Sequence, residues 1–100
     1  MSKFLAEFLK VLREDAGITQ HDLSVLLTKS GKSYSTTYIS KLENGLTIPS
    51  LKLIIRLSHI YECDVNKLLS LRRKDYLDKI NIRLNEEEAK ALNKEKQKIA

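Results

Sequence analysis

These 100 residues hold one cysteine, one proline, three glycines and no tryptophan, and aromatics make up only 6% of them. The lone thiol, Cys63, excludes an intramolecular disulfide. So little glycine, proline and aromatic content, beside abundant Leu, Ile, Lys and Glu, argues against a many-turned sheet and for an all-α chain. No apolar run approaches the roughly 18 residues of a membrane span, so no membrane partner is expected. The opening Met1-Ser2-Lys3 leads into an amphipathic stretch, Phe4–Leu12, too polar for a signal peptide. A soluble, reduced, cytoplasmic protein is the expectation. A glycine-rich phosphate loop and a nucleophile motif are both missing, and so small a helical core leaves little room for a deep substrate cleft. The chain therefore reads as a non-enzyme that requires no cofactor. His59 and Cys63 stand four residues apart, a spacing able to hold a metal, yet no second pair accompanies them and His21 is remote. A packed thiol beside a surface histidine is the simpler reading, and no metal site is expected.

What the chain has is positive charge. Lys and Arg number 18 against 13 Asp and Glu, a formal charge of +5. That balance attracts polyanions, which makes nucleic acid or an anionic surface the first partner to test. A merely solvated basic surface is the alternative.

With 42% hydrophobic residues, the length suits one core. Phe4, Leu5, Phe8, Leu9 and Leu12 recur at helical spacing, predicting a first helix over about Lys3–Ala16, capped by Ser2 and ended by Gly17. Thr19 and Asp22 form a capping box for a second helix reaching about Thr28, with Leu23, Leu26 and Leu27 inward. Lys29-Ser30-Gly31-Lys32-Ser33-Tyr34 reads as a loop. Ser35 caps a third helix, Thr36–Glu43, which buries Ile39 and Leu42 and is stopped by Asn44-Gly45. Leu46–Pro49 is extended, because a residue before proline avoids the helical region. Ser50 caps a fourth helix, Leu51–Tyr61, with Leu51, Ile54, Ile55 and Ser58 along one side. Asp64 caps a short fifth, Val65–Leu71, burying Val65, Leu68 and Leu69. The basic cluster Arg72-Arg73-Lys74 then opens a tail, residues 72–100, in which Asn85 and three glutamates mark another helix start.

The pattern of second helix, loop, third helix and extended segment resembles the lambda-repressor-like, Cro-type helix-turn-helix DNA-binding family. The resemblance rests on Leu12-Arg13, Gly17-Ile18-Thr19-Gln20, Asp22-Leu23-Ser24, Tyr38–Gly45, Ile48-Pro49-Ser50-Leu51, Leu57 and Asp64–Leu69, and covers about residues 4–71. It implies a five-helix DNA-binding domain, residues 1–71, followed by a helical extension. The residues matching the family's base readers are Thr36, Thr37 and Lys41, and those matching its phosphate ligands after the third helix are Asn44, Gly45 and Thr47. Physical chemistry adds Ser40, because short hydroxyls and a lysine suit base edges in the major groove. It also adds Gln20, at the start of the second helix, where an amide and free backbone N–H groups can grip a phosphate. Ser35 and the loop lysines Lys29 and Lys32 complete the phosphate candidates. Taken singly, Gln20 is an ordinary helix-start residue, Thr36 and Thr37 are first-turn residues, and Lys41 is a solvated lysine. By the same resemblance, Arg13 and Glu43 form a structural ion pair tying the first helix to the third.

Thr19 to Glu43 spans 25 positions, more than the family's turn of about 3–4 residues between helices requires. The excess falls at residues 28–34, either as a basic loop adding phosphate contacts or as a tolerated insertion. In the tail, nine Lys/Arg face six Asp/Glu around a thin apolar stripe of Tyr76, Leu77, Ile80 and Leu84. That stripe reads as a homodimer seam or as a surface that folds on another protein. The expected function is a dimeric, sequence-specific transcriptional regulator of double-stranded DNA, most simply a repressor. The alternative is an antitoxin-like protein that binds its own operator and neutralises a protein partner through the tail. RNA binding ranks below both, for want of an aromatic stacking surface.

Overall fold

The computed structural model describes residues 3–29 and 31–99, with side chains through Lys94. Five helices follow one another: α1 (Phe4–Asp15), α2 (Gln20–Lys29), α3 (Thr36–Glu43), α4 (Leu51–Ile60) and α5 (Val65–Ile99). No strand occurs among the described residues, and no helix is long and apolar enough to cross a membrane. Ser2, expected as the first cap, and Ser30, in the loop, lie outside the described residues. The residue preceding α1 is Lys3, whose side chain caps nothing.

Short-range chemistry sets most helix boundaries. Thr19 and Asp22 cap α2 reciprocally: the Thr19 N–H donates to the Asp22 carboxylate at 2.9 Å, and the Asp22 N–H donates to the Thr19 hydroxyl at 3.1 Å. The Thr19 N–H and then its hydroxyl hold the Asp22 carboxyl below its ordinary pKa. Ser35 accepts from the Tyr38 N–H and Ser50 from the Leu53 N–H, each at the first turn of its helix. Asp64 accepts from the Asn66 N–H at the start of α5. Helices α1, α3 and α4 all end with paired six-to-one and five-to-two backbone bonds around a left-handed residue. That residue is Gly17 after α1, Gly45 after α3, and Glu62 (φ 51°) after α4.

Leu5 and Leu9 of α1, Leu23 and Leu27 of α2, Ile39 and Leu42 of α3, Leu53, Ile54 and Leu57 of α4, and Leu68 of α5 close into one core. Two expected faces are corrected. In α4, Leu51 and Ile55 stand half exposed while Leu53 and Leu57 are buried beside Ile54 and Ser58. The helix is apolar over a wider arc than its neighbours cover, so packing rather than pattern selects the buried side. In α2, Leu26 is also partly exposed, leaving Leu23 and Leu27 to face the core.

The larger correction concerns the tail. The fifth helix does not stop at Leu71, and Asn85 does not start a new one; α5 runs for 35 residues without a break. Neither glycine nor proline interrupts Val65–Ile99, so the basic and acidic clusters change its surface charge but not its backbone. Arg72 and Asp75 still belong to the folded body, and Asp75 is buried. From Lys79 to Lys94 every side chain is exposed. The helix thereby draws the molecule out to 62 × 25 × 23 Å.

Glu62 is the one described non-glycine residue held at positive φ. A left-handed conformation costs an L-residue about 1–2 kcal/mol, part of which glycine returns as chain entropy. Glu62→Gly should therefore stabilise the fold by about 0.5–1 kcal/mol. Urea unfolding should show a higher midpoint with an unchanged slope.

Candidate nucleic-acid interface

Helix α3 turns Ile39, Leu42 and Glu43 inward, and this fixes what its other face presents. Thr36, Thr37 and Lys41 are exposed and Ser40 is partly exposed. Together with Gln20, Asn44 and Leu46 they line one shallow hollow beside α3. Six residues singled out from the sequence thus share one surface. The Asn44 amide donates to the Ser40 hydroxyl at 3.3 Å, so the end of α3 and the following turn are linked side chain to side chain.

The remaining candidates lie elsewhere. Lys32 and Ser35 line a second hollow with Ser33, Tyr34, Tyr38 and Ser50. Ser35 accepts the Tyr38 N–H there, which leaves its own hydroxyl hydrogen to donate outward. Lys29 is exposed at the last position of α2. Gly45 and Thr47 line a third groove, between the segment after α3 and α5. The Tyr38 phenol has its pKa raised by burial and by neighbouring Tyr34, against a smaller lowering effect of Thr47.

Behind α3 sits a charged cluster. Arg13 donates Nε to Glu43 Oε2 at 2.8 Å and Nη2 to Oε1 at 3.0 Å, a bidentate pair. Arg13 Nη1 also donates to the Ile18 carbonyl at 2.9 Å, and Gln20 Nε2 donates to Glu43 Oε1 at 3.2 Å. The Gln20 amide nitrogen is thus already engaged with protein, while its residue borders the hollow. Bonding to Glu43 raises the Arg13 pKa further, against the opposing effect of burial. One carboxylate gathers α1, the start of α2 and the end of α3.

The long connection between α2 and α3 is tied down as well. The Ser24 hydroxyl donates to the Tyr34 carbonyl, and the Thr28 hydroxyl donates to the Ser24 carbonyl at 2.9 Å. Tyr34 and Tyr38 stack with centroids 5.3 Å apart, and the Lys32 ammonium lies 5.5 Å from the Tyr34 ring. Sequence reasoning overlooked the tyrosine stack, whose signal was the spacing of four between two aromatics flanking a helix start. It also overlooked Arg72 and Asp75, whose partners lie far away along the chain and leave no local mark. Among the described residues no three His, Cys, Asp or Glu side chains gather as metal ligands would.

Removing Glu43 would strand the Arg13 guanidinium in a site where both side chains are largely buried. Glu43→Ala should cost about 3 kcal/mol or more, and the double variant Arg13→Met/Glu43→Leu should recover much of that loss. Equilibrium denaturation of the two variants checks both halves of the statement.

Comparison with known proteins adds one positive finding. A family model described as a helix-turn-helix domain matches residues 5–71. No curated protein and no solved structure matches the chain significantly. The matched region runs from the first turn of α1 into α5 and encloses the hollow beside α3. Over most of its length, then, this chain belongs to the helix-turn-helix domain family, a family of DNA-binding domains.

Proposed function

We propose that the protein is a sequence-specific transcriptional regulator that binds double-stranded DNA as a dimer, acting as a repressor with α3 in the major groove. The observation that carries this reading is the shared hollow of Gln20, Thr36, Thr37, Ser40, Lys41 and Asn44 on the outer side of α3. Hydroxyls, amides and one flexible ammonium can meet base edges there, with Lys41 reaching a guanine. Phosphates on either side would be held by Gln20 and Ser35 before the helix and by Asn44, Gly45 and Thr47 after it. Lys29 and Lys32 in the long loop add electrostatic contacts to the neighbouring backbone, where charge positions the protein without reading sequence.

The dimer would form through α5. Tyr76, Leu77, Ile80 and Leu84 are 38–58% exposed along α5, from the edge of the body outward. Leu77, Ile80 and Leu84 repeat at i, i+3, i+7, which aligns them as one seam. In this reading residues 1–71 bind DNA and residues 72–100 associate. Two copies related by a two-fold axis would read an inverted repeat with half-sites about 10–10.5 bp apart, or a multiple of that. Repression follows from occluding the polymerase.

Lys41→Ala should weaken binding to the preferred duplex by about 1–3 kcal/mol while leaving random-sequence binding nearly unchanged. Lys29→Ala with Lys32→Ala should instead weaken both alike and reduce the salt slope by about 2. Titrations at several salt concentrations separate the two patterns, and equal effects from both variants would contradict the assignment of roles. Leu77→Asp should convert a dimer to a monomer in sedimentation equilibrium. A wild-type chain that is already monomeric would assign the stripe to another protein, as the antitoxin-like alternative requires.

A further inference from the structure

The segment 44–49 joins α3 to α4 and has no ladder partner to fix it. Its backbone ties near α3 are those that end the helix, from the Gly45 N–H to Leu42 and from the Leu46 N–H to Lys41. Leu46 is 72% exposed. Yet this segment carries Asn44, Gly45 and Thr47, whose proposed phosphate contacts demand aimed N–H and hydroxyl groups.

Helix α5 bonds that segment directly at one end and reaches the other through the start of α1. At one end, Arg72 Nε donates to the Pro49 carbonyl at 2.8 Å, with the guanidinium set 4.8 Å from the Tyr76 ring. At the other, the Asp75 carboxylate accepts the N–H groups of Phe4 at 3.2 Å and Leu5 at 3.1 Å. Those donors open α1, where Lys3 provides no side-chain cap, so Asp75 serves as the cap from 70 residues away. The preceding Lys3 stem lies against Gly45 so closely that a Cβ there would come within 2.7 Å of Lys3 Cγ. Asp75 therefore fixes the first turn of α1, the adjoining Lys3 stem packs on Gly45, and Arg72 fixes Pro49. Arg72 and Asp75 sit three residues apart on one face of α5.

We propose that Arg72 and Asp75 are positioning residues for DNA binding: from α5 they clamp the segment 44–49 in the geometry that meets the phosphate backbone, without touching DNA themselves. The proposal rests on the DNA-binding reading above. It makes affinity depend on a helix on the far side of the segment, within two turns of the exposed stripe that begins at Tyr76.

The competing explanation is that Arg72 contributes only its charge to phosphate attraction, and one pair of variants separates the two. Glutamine places Nε2 at the same position along its side chain as Nε of arginine, so Arg72→Gln keeps a donor for Pro49 and removes the charge. The probe is a duplex selected from random DNA by the wild-type chain. Arg72→Ala is expected to weaken binding by about tenfold while leaving the salt slope near that of the wild type, because the segment's phosphate ligands carry no charge, whereas a direct charge contact by Arg72 would lower the slope by about one. Arg72→Gln is expected to restore the affinity to near wild type with the slope again unchanged. Equal weakness in the two variants, or wild-type affinity in Arg72→Ala, would overturn the clamp. Thermal unfolding accompanies each titration, and Arg72→Met replaces the alanine variant should that one fail to fold. A wild-type chain that selects no duplex would overturn the DNA-binding reading and the clamp together. Wild-type binding unaffected by Arg72→Ala would overturn the clamp alone.

Discussion

Glu43 is the carboxylate around which the helix-turn-helix unit is arranged. It is the last residue of α3, it is buried, and it receives a two-point bond from Arg13 on α1 and a third from Gln20 on α2. Arg13 in turn donates to the Ile18 carbonyl just after the turn that ends α1. A buried ion pair adds little net stability against a well-packed apolar substitute, because desolvation offsets its attraction. Its contribution is geometric: a planar fork on a carboxylate accepts few alternative arrangements. With the inner face of α3 held by Glu43, Ile39 and Leu42, Thr36, Thr37 and Lys41 are left facing outward.

A second constraint acts from the opposite side. Helix α5 enters the core through Leu68, caps α1 through Asp75, bonds Pro49 through Arg72, and then leaves the body as an exposed rod. One continuous helix thus borders the segment following α3 and also carries the apolar stripe proposed for association. Because no glycine or proline interrupts it, a load on the stripe is transmitted by a stiff element rather than by a linker. The lengthened loop before α3 is likewise a built element, tied through Ser24, Thr28 and the stacked tyrosines.

Much of this was legible in the residues, and the reason is range. The caps at Thr19, Ser35 and Ser50 and the left-handed turns at Gly17 and Gly45 are decided by chemistry within a few positions, and so are the bounds of α3. The hollow beside α3 follows from them, since two inward apolar residues leave the others facing out. What sequence reading misplaced depended on distant partners. The buried side of α4 is chosen by the helices packed on it, so Leu51 and Ile55 were expected inward in place of Leu53 and Leu57. Arg72-Arg73-Lys74 resembled a boundary because charge usually marks one, whereas Asp75 and Arg72 both find partners on the body. The cap on α1 could not be read locally, as its acceptor lies 70 positions from Leu5.

The measurement that bears most directly on the account is selection of bound sequences from random duplex DNA, carried out at low and near-physiological salt. Enrichment of an inverted repeat that persists at the higher salt, with half-sites separated by whole turns, is the predicted result. Binding that enriches no motif and vanishes as salt rises would contradict it, leaving only the attraction of a basic surface for a polyanion.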